Sequence, residues 1–325
     1  MRTPFLTLLL FLASSLPAVV PLETVQWASD SAKPSETGIA HRTQVYFLVD
    51  FTEDAGRSKY WGLRDFCRDT KLATRFDVLH FLVVVDGTIE PAREGEAKEY
   101  WCKGISGNHG LVRAFGGDAT AVIVLVDGNG RVTSISRLGD PNQERKAIEA
   151  LSPTAKPLVA DASQFPLSCK VPLEGLRLGD TARAMKGLSK AGADSPLFVK
   201  LVTDRVNEFV DMDTKLLNDP ATMAADKMIA LKRLNGIMAE FPQTPSASAA
   251  TQAIKKTKDD KQLANEQQAY AMLMAYFEAM KKTSAKKAKE VQLQWIPGIT
   301  AKFGGTYAAE IATMIRKASR LDQAE

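Results

Sequence analysis

The sequence predicts an α/β domain, a mixed sheet flanked by helices, followed by an all-α helical repeat or bundle domain. Three observations carry this. Continuous apolar runs rich in β-branched and aromatic residues, the signature of buried strands, fall in the first half only. Helical spacing of apolar residues dominates from residue 173 onward. Between the two lies a stretch with Pro153, Pro157, Pro166 and Pro172, which reads as a linker over 152–172. A chain of 325 residues holds two such domains, here 22–151 and 173–325. It is 45% hydrophobic and 25% charged, which excludes a disordered or collagen-like chain. A net charge of +4 is too weak a bias to imply nucleic-acid binding.

Residues 1–20 read as a signal peptide. Arg2 supplies a positive start, Phe5 to Ala13 is apolar apart from Thr7, and Ser14, Ser15, Pro17 and Ala18 end the run. The apolar stretch is short for a bilayer span, so the expectation is an exported chain, periplasmic or secreted, with no membrane span once the peptide is removed. An uncleaved anchor is the alternative.

Val45 to Phe51 is the first strand. Ser58 to Phe76 carries Tyr60, Trp61, Leu63, Phe66, Cys67 and Leu72 at mostly helical spacing, and Val78 to Val85 is a second strand. Strand, helix and strand imply a right-handed crossover and a parallel pair. A polar stretch follows, with a helix expected around 94–102. Ala121 to Val126 is a third strand. Asp127-Gly128-Asn129-Gly130 forms a hairpin turn, and Arg131 to Ile135 returns antiparallel. A helix over 141–151 closes the unit.

With Trp27, "VYFLVDF", "YWGLRDFCRDTKLATRFDVLHFLVVVD" and "LVRAFGGDATAVIVLVDGNGRV" in this order, residues 22–151 resemble thioredoxin-like domains, especially exported thiol–disulfide oxidoreductase modules. The resemblance implies a Cys-x-x-Cys pair at the start of the first helix, where the helix N-terminus stabilises a thiolate. It also implies a cis-proline before the third strand. Neither is present. The loop reads Ala55, Gly56, Arg57, Ser58 and Lys59, and Ala119 and Thr120 stand at the proline position. Thiolate exchange needs its nucleophile, so the expectation is a redox-inactive domain with no catalytic residues, cofactor or metal site.

The remaining thiols are Cys67, Cys102 and Cys169. Cys67 reads as a buried inert thiol, with pairing to Cys102 as the alternative. Cys169, in the proline-bounded linker, is expected to be exposed. Asp50 corresponds to the buried aspartate behind the family's site. Asp127 and Asn129 also resemble the first positions of a calcium loop, but later ligands are missing and the hairpin turn is preferred.

In the second half, Ser195-Pro196, Asp219-Pro220 and Thr244-Pro245 each place a capping side chain before a proline suited to a first helical turn. "NGIMAEFPQTPSASAA" and "PGITAKFGGTYAAEIA" repeat at an offset of 62, pairing Phe241 with Phe303 and Thr244 with Thr306. These joints resemble those of tetratricopeptide-type repeats, although the offset is not twice that family's period and Pro297 is expected to interrupt the second. An open array would bind a protein or peptide partner; a closed bundle supporting the first domain is the alternative. Lysine runs over 255–261 and 281–289 read as solvated helix faces, with no nucleic-acid partner. The function expected is therefore an exported, non-catalytic protein that binds or scaffolds partners. The competing expectation is a redox enzyme using non-standard cysteines.

Overall fold

A computed structural model describes residues 26–27, 32–50, 54–56, 58–59, 75, 77–85, 102–106 and 110–323. Six strands form one sheet: β1 (Gln26–Trp27), β2 (Thr43–Asp50), β3 (Val78–Val85), β4 (Cys102–Ser106), β5 (Ala121–Val126) and β6 (Val132–Arg137), in the order β1-β4-β3-β2-β5-β6. β2 pairs parallel with β3, as the crossover rule requires, and β3 pairs parallel with β4. The β1–β4, β2–β5 and β5–β6 pairs are antiparallel. β2 is central and buried at all eight positions, which is why its sequence runs apolar without alternating.

The first-half helices with settled bounds are α1 (Glu36–Ile39), α2 (Gly110–Gly116) and α3 (Pro141–Leu151). α3 has the expected bounds: the Asp140 side chain accepts from Asn142 N at 2.9 Å, and Pro141 takes the first position. In the hairpin turn Asp127 Oδ1 accepts from the amides of Asn129 and Arg131, and Gly130 has φ +88°, so the carboxylate is spent on the turn. The expected helix over 94–102 is corrected at its end. Cys102 opens β4 opposite Phe81, because pairing with an open sheet edge overrides weak local preference. Residues 94–101, and the predicted helix beyond Lys59, lie outside the described residues.

The second half comprises α4 (Lys170–Arg177), α5 (Thr181–Lys186), α6 (Ser195–Asn218), α7 (Ala224–Glu240), α8 (Pro245–Lys255), α9 (Lys261–Lys281), α10 (Ala285–Lys302) and α11 (Tyr307–Ala318). The 62-residue repeat is a repeated helical joint. Phe241 and Phe303 end α7 and α10, and Thr244 and Thr306 cap α8 and α11 by accepting from Ala247 N (3.2 Å) and Ala309 N (3.3 Å). Gln243 and Gly305 share the left-handed turn position, at φ +65° and +84°. Thr251 and Thr313 both donate to the carbonyl four residues back at 2.8 Å.

Three expectations are corrected. Ser195 does not cap α6; its hydroxyl donates to the Leu188 carbonyl at 2.7 Å. Asp219 does not start α7 but closes a turn through Ala221 N and Thr222, and the helix begins at Ala224. Pro297 does not interrupt α10, which runs through it. Pro297 and Leu293, whose carbonyl loses its helical donor, are both exposed, on the side of the helix where solvent can take the place of that donor. Segment 152–172 is folded into short 3-10 turns and contributes buried Leu158, Val159 and Phe165.

The two halves share one hydrophobic core. α9, α10 and α11 pack on α2, and α11 also packs on β6. α2 thus lies between the sheet and the helices, and all its residues but Arg113 are buried. Tyr276 Oη on α9 donates to the Ala114 carbonyl at 2.5 Å, and Gln292 Nε2 on α10 donates to the Arg113 carbonyl at 2.9 Å. Along β6, Val132 N donates to Tyr307 Oη on α11 at 2.5 Å. The helices are a covering layer of the first half here, as in the bundle alternative. Tyr276→Phe leaves a buried carbonyl short of its donor and is expected to cost about 1–3 kcal/mol in urea unfolding. Gly110→Ala is expected to cost at least as much, because a Cβ there would stand 2.3 Å from the Met280 carbonyl oxygen.

Candidate functional site

At the C-terminal end of β2 the chain reaches Asp50 and the loop that the sequence singles out. Residues 54–56 and 58–59 are helical, and Asp54, Ala55, Ser58 and Lys59 are exposed. Gly56 is buried against the strand end: a Cβ there would stand 1.7 Å from the Asp50 carbonyl oxygen and 3.4 Å from that of Thr120. The Thr120 carbonyl in turn accepts from Asp50 N at 2.9 Å. The loop 55–59 and the Ala119–Thr120 position, about 60 residues apart in sequence, therefore do meet at one point. The buried Asp50 lies 3.8 Å from the Arg113 guanidinium. Asp118 pairs with Arg137, whose Nε donates to the Ala318 carbonyl at 2.9 Å, so the loop before β5 is tied to the end of α11. This place offers an exposed serine hydroxyl, a lysine and a buried carboxylate–guanidinium pair. No described thiol lies in it.

The candidate thiols are not brought to this point by anything described. Arg57, Cys67 and the side chain of Cys102 lie outside the described residues. Cys169 is fully buried, which corrects the expected exposure: the turn 167–169 folds its side chain into the core beneath α4. A buried thiol is a small hydrophobe and a poor partner for exchange.

At the opposite end of β2 sits a cluster the sequence reading missed. Arg233 on α7 makes a bidentate pair with the buried Asp213 on α6, through Nε at 3.0 Å and through Nη2. Its Nη1 donates to the Asn129 carbonyl in the hairpin turn at 2.7 Å. His41 stands beside them with φ +55°, its ring 4.4 Å from that of Phe209 and its Nε2 3.8 Å from Asp213 Oδ1. Nε2 has no hydrogen-bond partner. Burial, then the charges of Arg233, Arg205 and Lys156, push His41 down to about 2, so it is neutral at neutral pH. A cavity of about 50 Å³ adjoins it, bounded by Tyr46, Met228 and Tyr270 and by the Glu36–Lys232 ion pair. One signal was legible: Asp213 falls on the buried stripe of α6, in step with Val202, Val206, Phe209 and Leu217, where a lone carboxylate needs a partner.

A third feature is a cleft of about 490 Å³ among the first turns of α7, α9 and α11. Arg131 and Glu310 line it, and Arg131 Nε is held by Asp226 at 2.6 Å. The buried Glu266 accepts from Tyr307 N (2.8 Å) and Ala308 N (3.3 Å), and burial pushes its carboxyl above the usual range. The lysine runs at 255–261 and 281–289 are mostly exposed, as read from sequence.

The strand order, with its parallel β2–β3 pair and antiparallel β5–β6 hairpin, makes the first half thioredoxin-like, followed by a mostly helical region. Among solved structures, the chain is similar to one titled the solution structure of an uncharacterized thioredoxin-like protein from Porphyromonas gingivalis, at 16% identity and a TM-score of 0.29, over 38% of this chain and 83% of that one. No family model and no curated protein matches the chain.

His41 yields a pH prediction. Its folded pKa is depressed, so the neutral form is favoured by folding; that contribution is present above pH 6.5 and is lost as pH falls below it. Stability measured by urea unfolding is expected to drop between about pH 6.5 and 5 by up to about 1.4 kcal/mol per pH unit. His41→Asn, which tolerates the positive φ, is expected to flatten that slope.

Proposed function

We propose that the protein is an exported, non-catalytic thioredoxin-like protein that binds or scaffolds a protein partner. One observation carries the non-catalytic part. The loop where the resemblance requires the reactive thiols reads Ala55, Gly56, Arg57, Ser58 and Lys59, without a cysteine, and its Gly56 is pressed so closely on the Asp50 carbonyl that no side chain fits there. A hydroxyl at Ser58 is no substitute, since exchange proceeds through a thiolate. Export rests on residues 1–20; no helix among the described residues is long and apolar enough to cross a membrane.

Partner binding rests on the helical joints and on the recess they create. The repeated turns at 241–247 and 303–309 have the tetratricopeptide-like pattern of aromatic, turn and cap. The cleft beside the second joint presents Arg131 and Glu310 close together, a charge pairing suited to a polar peptide segment.

The test is disulfide reduction of a model protein by the full chain, beside single Cys67→Ser, Cys102→Ser and Cys169→Ser variants. No turnover above buffer is expected from any of them. Turnover abolished by Cys102→Ser would instead establish a redox enzyme with unusual thiols. For the partner, Arg131→Glu is expected to remove a protein that co-purifies with the full chain, and its undiminished retention would move the binding surface elsewhere.

A further inference from the structure

Among the described residues seven large apolar side chains are exposed, and five of them, Leu167, Val171, Met185, Leu197 and Val199, fall within residues 167–199. Isolated exposed apolar residues need no explanation, but a cluster does. The fold gathers this segment into one corner. A Cβ on Gly187 would stand 3.1 Å from Val171 Cγ1, so the chain at 187 lies against Val171. Ser168 donates to Asp194 Oδ2 at 2.5 Å, which draws the Leu167 turn to the start of α6, in whose first turn Leu197 is exposed. Leu167 itself is 87% exposed on a 3-10 turn and therefore protrudes.

The charges of the corner are one-sided. Lys170, Arg183, Lys186 and Lys190 are all exposed. The three carboxylates of the segment are engaged: Glu174 with Arg177, Asp180 with the amides of Lys33 and Arg183, and Asp194 with Ser168. A protruding leucine on a turn, in a segment whose exposed charges are all cationic, matches a surface that is negative at its face and apolar just beneath. A folded acidic protein would need a pocket already shaped for Leu167, whereas a lipid layer needs none.

We infer that the corner built from residues 167–199 is a peripheral docking surface for an anionic lipid bilayer, with Leu167 inserted and the four cations at the headgroups. This surface is separate from the cleft assigned above to a protein partner. It requires no membrane-spanning helix.

The test is co-sedimentation of the processed chain with vesicles of phosphatidylglycerol and phosphatidylcholine in a three-to-seven ratio, against pure phosphatidylcholine. Binding to the anionic vesicles alone is expected. Leu167→Glu is expected to weaken it about tenfold or more, and Lys186→Glu and Lys190→Glu about fivefold or more each. These positions are exposed, so the variants keep the parent's unfolding midpoint. The chain used begins after residue 20, as in the exported protein proposed above, because the apolar stretch Phe5 to Ala13 would otherwise carry every variant to both kinds of vesicle. In a Leu167→Trp variant the added emission is expected to shift to the blue on anionic vesicles only. The inference is overturned by absent sedimentation, by equal binding of the Leu167→Glu variant, or by unshifted emission from the Leu167→Trp variant. It is also overturned if the chain binds polyglutamate through Leu167 while ignoring vesicles, which would make the corner a site for acidic protein.

Discussion

The last carbonyls of a helix have no partner within it, and those of α2 end where water does not reach. Each one described is answered from outside the helix. The Arg113 carbonyl accepts from Gly117 N and Gln292, the Ala114 carbonyl from Tyr276, and the Gly116 carbonyl from Ala119 N. Two of these donors belong to the helical half. The apolar side chains of α2 obey the same constraint. Leu111, Val112, Ala114 and Phe115 form one apolar stripe, and the glycines at 110 and 116 are buried as well, so that every residue but Arg113 is covered, as suits a helix held between two layers. Phe115 meets Phe277 of α9 at 4.9 Å between ring centres. The α/β sheet therefore cannot be separated from the helices without exposing this helix.

The same logic covers the sheet edge. β6 is the last strand, and an unpaired strand edge invites association with other chains. α11 lies along it, Tyr307 takes the amide of Val132, and Arg137 reaches back to the carbonyl of Ala318. At the far end of β2, Arg233 ties α6 and α7 to the hairpin turn. A buried ion pair adds little to stability by comparison with an apolar replacement, yet losing one partner is costly. Its effect here is to fix one arrangement of the two halves. What remains free for partners is the outer surface: the cleft beside Arg131 and the basic, apolar corner at 167–199.

The strands at 43–50 and 121–126 were legible because they are buried at every position and so read as unbroken apolar runs, and 78–85 has the same kind of sequence. Helix α3 was legible from its Asp140-Pro141 start, and the joints at Thr244 and Thr306 from an explicit repeat. Strand β4 was not, since Cys102 to Ser106 has no apolar run and is a strand because it pairs with β3 on one side and β1 on the other. Cap chemistry misled at Ser195 and Asp219, where the side chain found another partner nearby. The departure of the loop 55–59 from a redox site was plain in the residues. That Gly56 leaves no room for any side chain was not, because it depends on the Asp50 carbonyl. The His41, Asp213 and Arg233 cluster joins positions 172 and 20 residues apart, and only the packing of α6 on α7 brings it together.

The central claim is that the helical half is a structural layer of the α/β half. Native-state hydrogen exchange of the full chain in rising urea addresses it most directly, read on the slowest amides of β5 and of α9. The account predicts that both sets converge on one global unfolding isotherm with a common midpoint. Two isotherms, with β5 still protected after α9 has opened, would contradict it.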